Sequence, residues 1–195
     1  KMGQSDSVWK DLSGNGNDCE VHREVFEYPP VLEGGRNLAF IQDYSHDNQY
    51  QTVTKTDETF NGQPVYRAIK KTTGTPPTSI GSITIRKGET FTASIWIKHE
   101  QQPTMEPARL IFYKDAVLKS VFAKNNYGEW ERLIVTYTND TDADIENVSI
   151  NFYPARGAGE VTYFTCPKIE KGPVATPWTP APEDLGLEYP DWIQN

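Results

Sequence analysis

The sequence predicts an all-β fold made of two antiparallel sheets packed face to face, and three observations carry that prediction. Apolar and polar residues alternate with a period of two in several separate segments, turn residues punctuate the chain at short intervals, and helical periodicity is weak throughout. The 14 prolines and 14 glycines interrupt every long helical candidate. Many short strands, each with one apolar face, bury those faces by packing sheet on sheet.

The clearest strand covers 89–99. There Phe91, Ala93, Ile95 and Ile97 point one way, and Thr92, Ser94, Trp96 and Lys98 point the other. The apolar set must face the core, which puts Trp96 on the opposite face. By the same reasoning Leu110 and Phe112 alternate with Arg109, Ile111 and Tyr113. Leu133, Val135 and Tyr137 alternate with Arg132, Ile134 and Thr136 in a strand entered through Trp130, and Val148, Ile150 and Phe152 alternate with Ser149, Asn151 and Tyr153. Further strands are expected at 38–41, 65–71, 80–85, 116–123 and 161–165. The register of 65–71 stays open, because Arg67 would share a face with Val65 and Ile69. Arg86-Lys87-Gly88-Glu89 and Asn126-Tyr127-Gly128-Glu129 place glycine where a tight hairpin wants positive φ. The run NDTDADIEN reads as a polar loop between two strands.

Three zones divide the 195 residues. Residues 1–35 form an irregular segment or the remnant of a preceding domain, 36–184 the sandwich, and 185–195 a C-terminal linker. The Pro-rich run after Cys166 reads as a tether along the sandwich or toward a neighbour. The opening KMGQSDSVWKDLSG has no apolar h-region, so no secretory signal is expected, and its abrupt start reads as that of a fragment. No apolar run approaches the roughly 20 residues that cross a bilayer. A net charge of −8 without a Lys/Arg cluster disfavours nucleic acid and anionic membranes as partners, but leaves neutral polymers open. Cys19 and Cys166 lie far apart and read as free thiols, with a bridge left open.

The succession GETFTASIWIKHE, GEWERLIVTYTN, VSINFYP and GEVTYFTCPKIEKGPVATPWTPAPED resembles the carbohydrate-binding jelly-roll modules found in tail proteins of phages that infect Gram-positive bacteria. The closing stretch is the most specific part, and the resemblance covers roughly 36–184. Its broader relatives are the galactose-binding-like sandwiches attached to bacterial xylanases and cellulases. The resemblance implies a jelly-roll β-sandwich that binds cell-wall polysaccharide or oligosaccharide of a Gram-positive host. It also implies a place in the virion, at a tail tip or baseplate beside other phage tail proteins. A second stretch, WKDLSGNGND, is similar to a motif of laminin-G/concanavalin-like domains, and as structure it reads as a Gly/Asn-rich turn.

A pyranose offers an apolar C–H face and a rim of hydroxyls, so its site needs an aromatic platform with hydrogen-bonding side chains around it. Trp96, Tyr113 and Tyr153 face outward by the alternation argument, with Lys98, Arg109 and Asn151 on the same parity. In the resembling modules the ligand lies across a concave sheet, so these six residues are the expected ligand-binding set, standing together on one open sheet surface. The plainer reading is that such aromatics are covered by a loop. Each hydrogen bond to a sugar contributes about 1 kcal/mol net, and repetition around a tail would multiply modest affinity. Trp130, at the mouth of a core-facing strand, and Trp178, set among prolines to pin the tether, read as structural. Trp9 and Trp192 pack either against the module or against neighbouring domains.

No catalytic residues, metal ligands or cofactors are expected. The loop with Asp140, Asp142, Asp144 and Glu146 fails as an EF-hand, since positions six and twelve counted from Asp140 are Ile145 and Asn151. Resembling modules hold a structural calcium through an Asp in the last strand, where this chain reads Thr165-Cys166-Pro167. His22, His46 and His99 lack metal-ligand spacing. A glycosidase needs two carboxylates roughly 5 to 9 Å apart, and Glu129 and Glu131 read instead as solvated surface beside a turn. The alternatives to a sugar-binding module are a structural tail domain without ligand and the appended domain of a glycan-degrading enzyme.

Overall fold

The computed structural model describes residues 35–39, 42–74, 76–124 and 127–181, and the strands Val8–Trp9 and Cys19–Glu20. The expectations that involve the side chains of Trp9, Cys19, His22 and Trp192, the turn residue Asn126 and the linker 185–195 lie outside them. The chain divides into two compact units, Lys1–Leu32 and Glu33–Asn195. In the first, β1 (Val8–Trp9) pairs antiparallel with β2 (Cys19–Glu20).

The second unit is an antiparallel two-sheet sandwich. Its strands are β3 (His46–Asp47), β4 (Gln51–Phe60), β5 (Gln63–Lys70), β6 (Thr78–Ile85), β7 (Thr90–His99), β8 (Arg109–Lys114), β9 (Ala116–Phe122), β10 (Glu131–Thr138), β11 (Ile145–Tyr153) and β12 (Val161–Lys171). One sheet runs β10-β7-β12-β5-β4-β3 and the other β6-β11-β8-β9. From β5 to β12 the first strand pairs with the last, the second lies beside the next to last, and the scheme closes inward to the β8–β9 hairpin. That nesting is the jelly roll.

The core lies where the sequence pattern put it. Phe91, Ala93, Ile95 and Ile97 from β7 meet Leu110, Phe112, Ile150 and Phe152 from the facing sheet in one buried cluster. Phe164 packs its ring against Tyr44, Tyr66 and Phe152, with centroids 5.8, 5.4 and 4.9 Å away. At these spacings aromatic pairs add to plain area burial. The register of β5 is resolved with Tyr66 and Ala68 inward, so Val65, Arg67 and Ile69 do share the outer face. Periodicity alone could not choose, because the inward set ends in a lysine: Lys70 is buried and donates to the Gly74 carbonyl.

Three expectations change. Residues 38 and 39 are in no strand, although the Leu38 amide donates to the Ile169 carbonyl. Gly88 and Gly128 do have positive φ, 78° and 80°, but their turns are not hairpins. Each passes the chain from one sheet to the other, β6 to β7 and β9 to β10, and a short link of either kind asks for the same glycine. The third is an unpredicted hairpin, β4–β5, turning at Asn61-Gly62 with φ of 50° and 73°, the pair of left-handed residues a two-residue turn requires.

Candidate functional site

The six expected ligand-binding residues do not form one platform. Trp96 and Lys98 stand on β7 in the six-stranded sheet, while Arg109 and Tyr113 on β8 and Asn151 and Tyr153 on β11 belong to the four-stranded sheet. Their core-facing neighbours meet in the shared interior, so the two groups occupy opposite outer faces of the sandwich. Alternation reports whether a side chain points into or away from the core. It does not report which sheet its strand joins.

On the six-stranded sheet, Trp96 lies level with Thr165 of β12 and Arg132 of β10. The neighbouring outward row aligns Arg67, Tyr163 and Lys98 across β5, β12 and β7. The Lys98 ammonium sits over two rings, 4.9 Å from the centroid of Tyr163 and 5.1 Å from that of Trp130. Such cation–π contacts hold a flexible lysine in place. Arg67 reaches Glu100 at 3.5 Å at the margin of this row. Trp130 is therefore part of the outer face, although it precedes a strand whose apolar residues look inward. Glu131 is engaged elsewhere, accepting from the Lys124 amide at 2.9 Å.

Phe60 completes the cluster, with ring centroids 5.2 Å from Trp96 and 4.6 Å from Trp130. In strand order β5 and β12 separate β4 from β7, a span of roughly 14 Å at the usual strand spacing. Phe60 can touch Trp96 only because the β4–β5 tip leaves the sheet plane and folds over the outer face. A register shift between Lys55 and Thr59 permits the bend. The Thr165 hydroxyl ties the returning strand down by donating to the Pro64 carbonyl at 2.7 Å.

The other flank of this face is closed by the segment that follows β12. Residues 172–181 double back against β12 and β10, and Thr176 is their anchor. Its hydroxyl meets Lys168 Nζ at 2.6 Å and Glu170 at 2.5 Å, its amide donates to Glu170 at 2.9 Å, and its carbonyl accepts from Arg132. Lys168 and Glu170 form an ion pair at 3.3 Å with both side chains buried. Burial pushes the Lys168 ammonium down from its ordinary value, against the pull of Glu170. Trp178 donates from its indole to the Pro167 carbonyl at 3.1 Å and so pins the strap. What remains open between strap and hairpin tip is a strip of half-buried Trp96, Trp130, Tyr163, Lys98 and Arg67.

Cys166 lies at the bulge between Thr165 and Lys168, with φ of 51° and a free, buried thiol. Burial pushes that thiol up from its ordinary value, outweighing the Thr165 hydroxyl and the nearby Arg132. The acidic loop after β10 is tied to a lysine: Lys87 pairs with Asp142 at 2.9 Å, and its amide donates to Asp144. Among the described residues no group of three or more His, Cys, Asp or Glu is placed to hold a metal.

No protein-family model and no curated protein matches the sequence. Solved structures do. A family 4 carbohydrate-binding module shares 19% identity over 62% of this chain and 78% of its own, at a TM-score of 0.44. A family 16 carbohydrate-binding module shares 12% identity over 62% of this chain and 85% of its own, at 0.45. An endo-1,4-β-D-xylanase 10B from Clostridium thermocellum, solved as CBM22-1 and GH10 modules with xylohexaose, shares 15% identity over 66% of this chain and 26% of its own, at 0.42. These are loose likenesses and fix neither ligand nor site.

Proposed function

We propose that this protein is a non-catalytic saccharide-binding module whose ligand lies across the outer face of the six-stranded sheet. The observation that carries the reading is the strip of Trp96, Trp130 and Tyr163 held around Lys98, bounded by the strap on one side and the hairpin tip on the other. The rings offer faces for the C–H side of a pyranose, and Lys98 and Arg67 offer donors for its hydroxyls. The side chains gathered there are aromatic or cationic, which suits holding a sugar better than the two-carboxylate chemistry of hydrolysis.

The ligand in this reading is cell-wall polysaccharide or oligosaccharide of a Gram-positive host. The setting is a phage tail tip or baseplate, where the module works beside other tail proteins in host adhesion. What supports that setting is the resemblance of GEVTYFTCPKIEKGPVATPWTPAPED to the ends of such tail modules. One observation favours an alternative: Phe60 packs on both tryptophans, as it would in a structural domain whose hairpin tip keeps the rings covered.

A glycan array followed by titration calorimetry separates the two. The expected result is retention of a defined saccharide, with affinity reduced at least tenfold, about 1.4 kcal/mol, by Trp96→Ala or Trp130→Ala while the melting transition stays cooperative. No retention of any saccharide, or an affinity in both variants unchanged from that of the parent protein, would reject this site.

A further inference from the structure

We infer that the opposite face, on the four-stranded sheet, carries a second and separate ligand site, built for an anionic saccharide around Arg109. One outward row there aligns Tyr153, Arg109 and Phe122 across β11, β8 and β9. The guanidinium lies between the two rings, 5.1 Å from the Tyr153 centroid and 5.2 Å from that of Phe122. Contact with rings fixes an arginine in orientation while leaving its N–H donors unspent. Among the described residues Arg109 makes no ion pair and no side-chain hydrogen bond. A planar fork held this way matches a carboxylate or phosphate group, which accepts two parallel hydrogen bonds.

The surroundings favour a sugar as the carrier of that anion. The next outward row holds Ser79, Asn151, Ile111 and Ser120, and the one beyond it Ser82, Ser149, Tyr113 and Val117. Arg109 is the one charged side chain in these three rows, on a protein whose net charge is −8. No acidic group there competes for it. Phe122 and Tyr113 remain 44% and 38% exposed, enough to stack on a ring, and the serines supply hydroxyls. Asn151, expected as a ligand contact, is only 7% exposed, and Ile111 is fully buried, so Asn151 serves the floor of the site more than its rim.

The test uses two acidic probes, oligogalacturonate and phosphomannan, each beside a neutral counterpart of matched length, galactan and unphosphorylated mannan. Binding is measured at low and raised salt. The inference expects at least one acidic probe to bind at least tenfold more tightly than its neutral counterpart, and which probe binds names the anion. Arg109→Met should abolish that preference and Arg109→Lys restore only part of it, because an ammonium cannot form the fork. Trp96→Ala should leave the affinity for the bound acidic probe unchanged, whatever it does to the neutral counterparts, which keeps this site distinguishable from the one on the six-stranded sheet. Failure of both acidic probes, an unchanged preference in Arg109→Met, or loss of acidic-probe binding in Trp96→Ala each overturns the inference. Thermal melts of the variants guard against unfolding, and Phe122→Ala, which removes the stacking shelf but keeps the fork, should weaken binding without erasing the acidic preference.

Discussion

His99 ends the inward row of β7 almost without exposure, its ring within reach of the Thr162 hydroxyl at 3.3 Å and the Ala108 amide at 3.4 Å. Burial pushes its imidazole down from the ordinary value, and the nearby Glu160 only partly opposes this. A histidine that prefers to stay neutral in the fold stabilises above its unfolded value, about 6.5, and that contribution is lost as pH falls through the lower folded value. Glu160 acts further toward acid. Burial raises it, but the Thr104 hydroxyl and amide and the Gly157 amide more than compensate, leaving it below the ordinary carboxylate value. Its stabilisation persists until the pH drops below that of a free glutamate. The melting temperature should therefore be level from pH 8 to about 6.5 and decline in two stages below. His99→Gln should remove the first stage in calorimetric scans, and an unchanged profile would assign it to other groups. Site residues differed in how far the sequence disclosed them. Trp96 and Lys98 were legible as outward-facing because four consecutive alternations agree on β7. Trp130 and Tyr163 were not, since one lies outside a strand and the other needs its partner strand known before its neighbours can be named.

Among the elements, the strap and the β4–β5 hairpin shape the proposed site, and both illustrate what local pattern conveys. The strap was readable as a Pro-rich tether pinned by Trp178, but the charges it covers on β12 were not: Lys168 and Glu170 look like solvated surface until the segment folds back on them. Removing one partner of a buried pair strands the other's charge, at a cost of about 3–5 kcal/mol. Lys168→Met is therefore expected to lower stability by that order in urea unfolding, and Lys168→Met with Glu170→Leu to recover most of it. A double variant no better than the single would show that Glu170 rests on Arg132 and Thr176 instead. The β4–β5 hairpin had its signal in Asn61-Gly62, yet QTVTKTDETF carries too few apolar residues to announce a strand. β3 covers β4 only at Thr52 and Val53; beyond them β4 is the sheet's edge and its side chains are mostly exposed, so no alternation is enforced.

At the scale of the whole sandwich, the same nesting that builds the core separates the two outer faces. Every link from β5 to β12 except the β8–β9 hairpin crosses between sheets, so neighbours in sequence end on opposite sides. The fold class was legible because burial imposes a period of two on each strand. Sheet membership was not, because it depends on pairings between strands far apart in sequence, such as β5 with β12, which no local pattern records. One module can thus carry a tryptophan-lined face and an arginine-centred face on opposite sides of one core.

The most direct test of the account is the indole N–H region of the NMR spectrum during titration with the saccharide selected on the array. The Trp96 and Trp130 signals, assigned through Trp96→Phe and Trp130→Phe, should move together with ligand while Trp178, bonded to Pro167, stays fixed. A saturable titration that leaves both signals in place would contradict it.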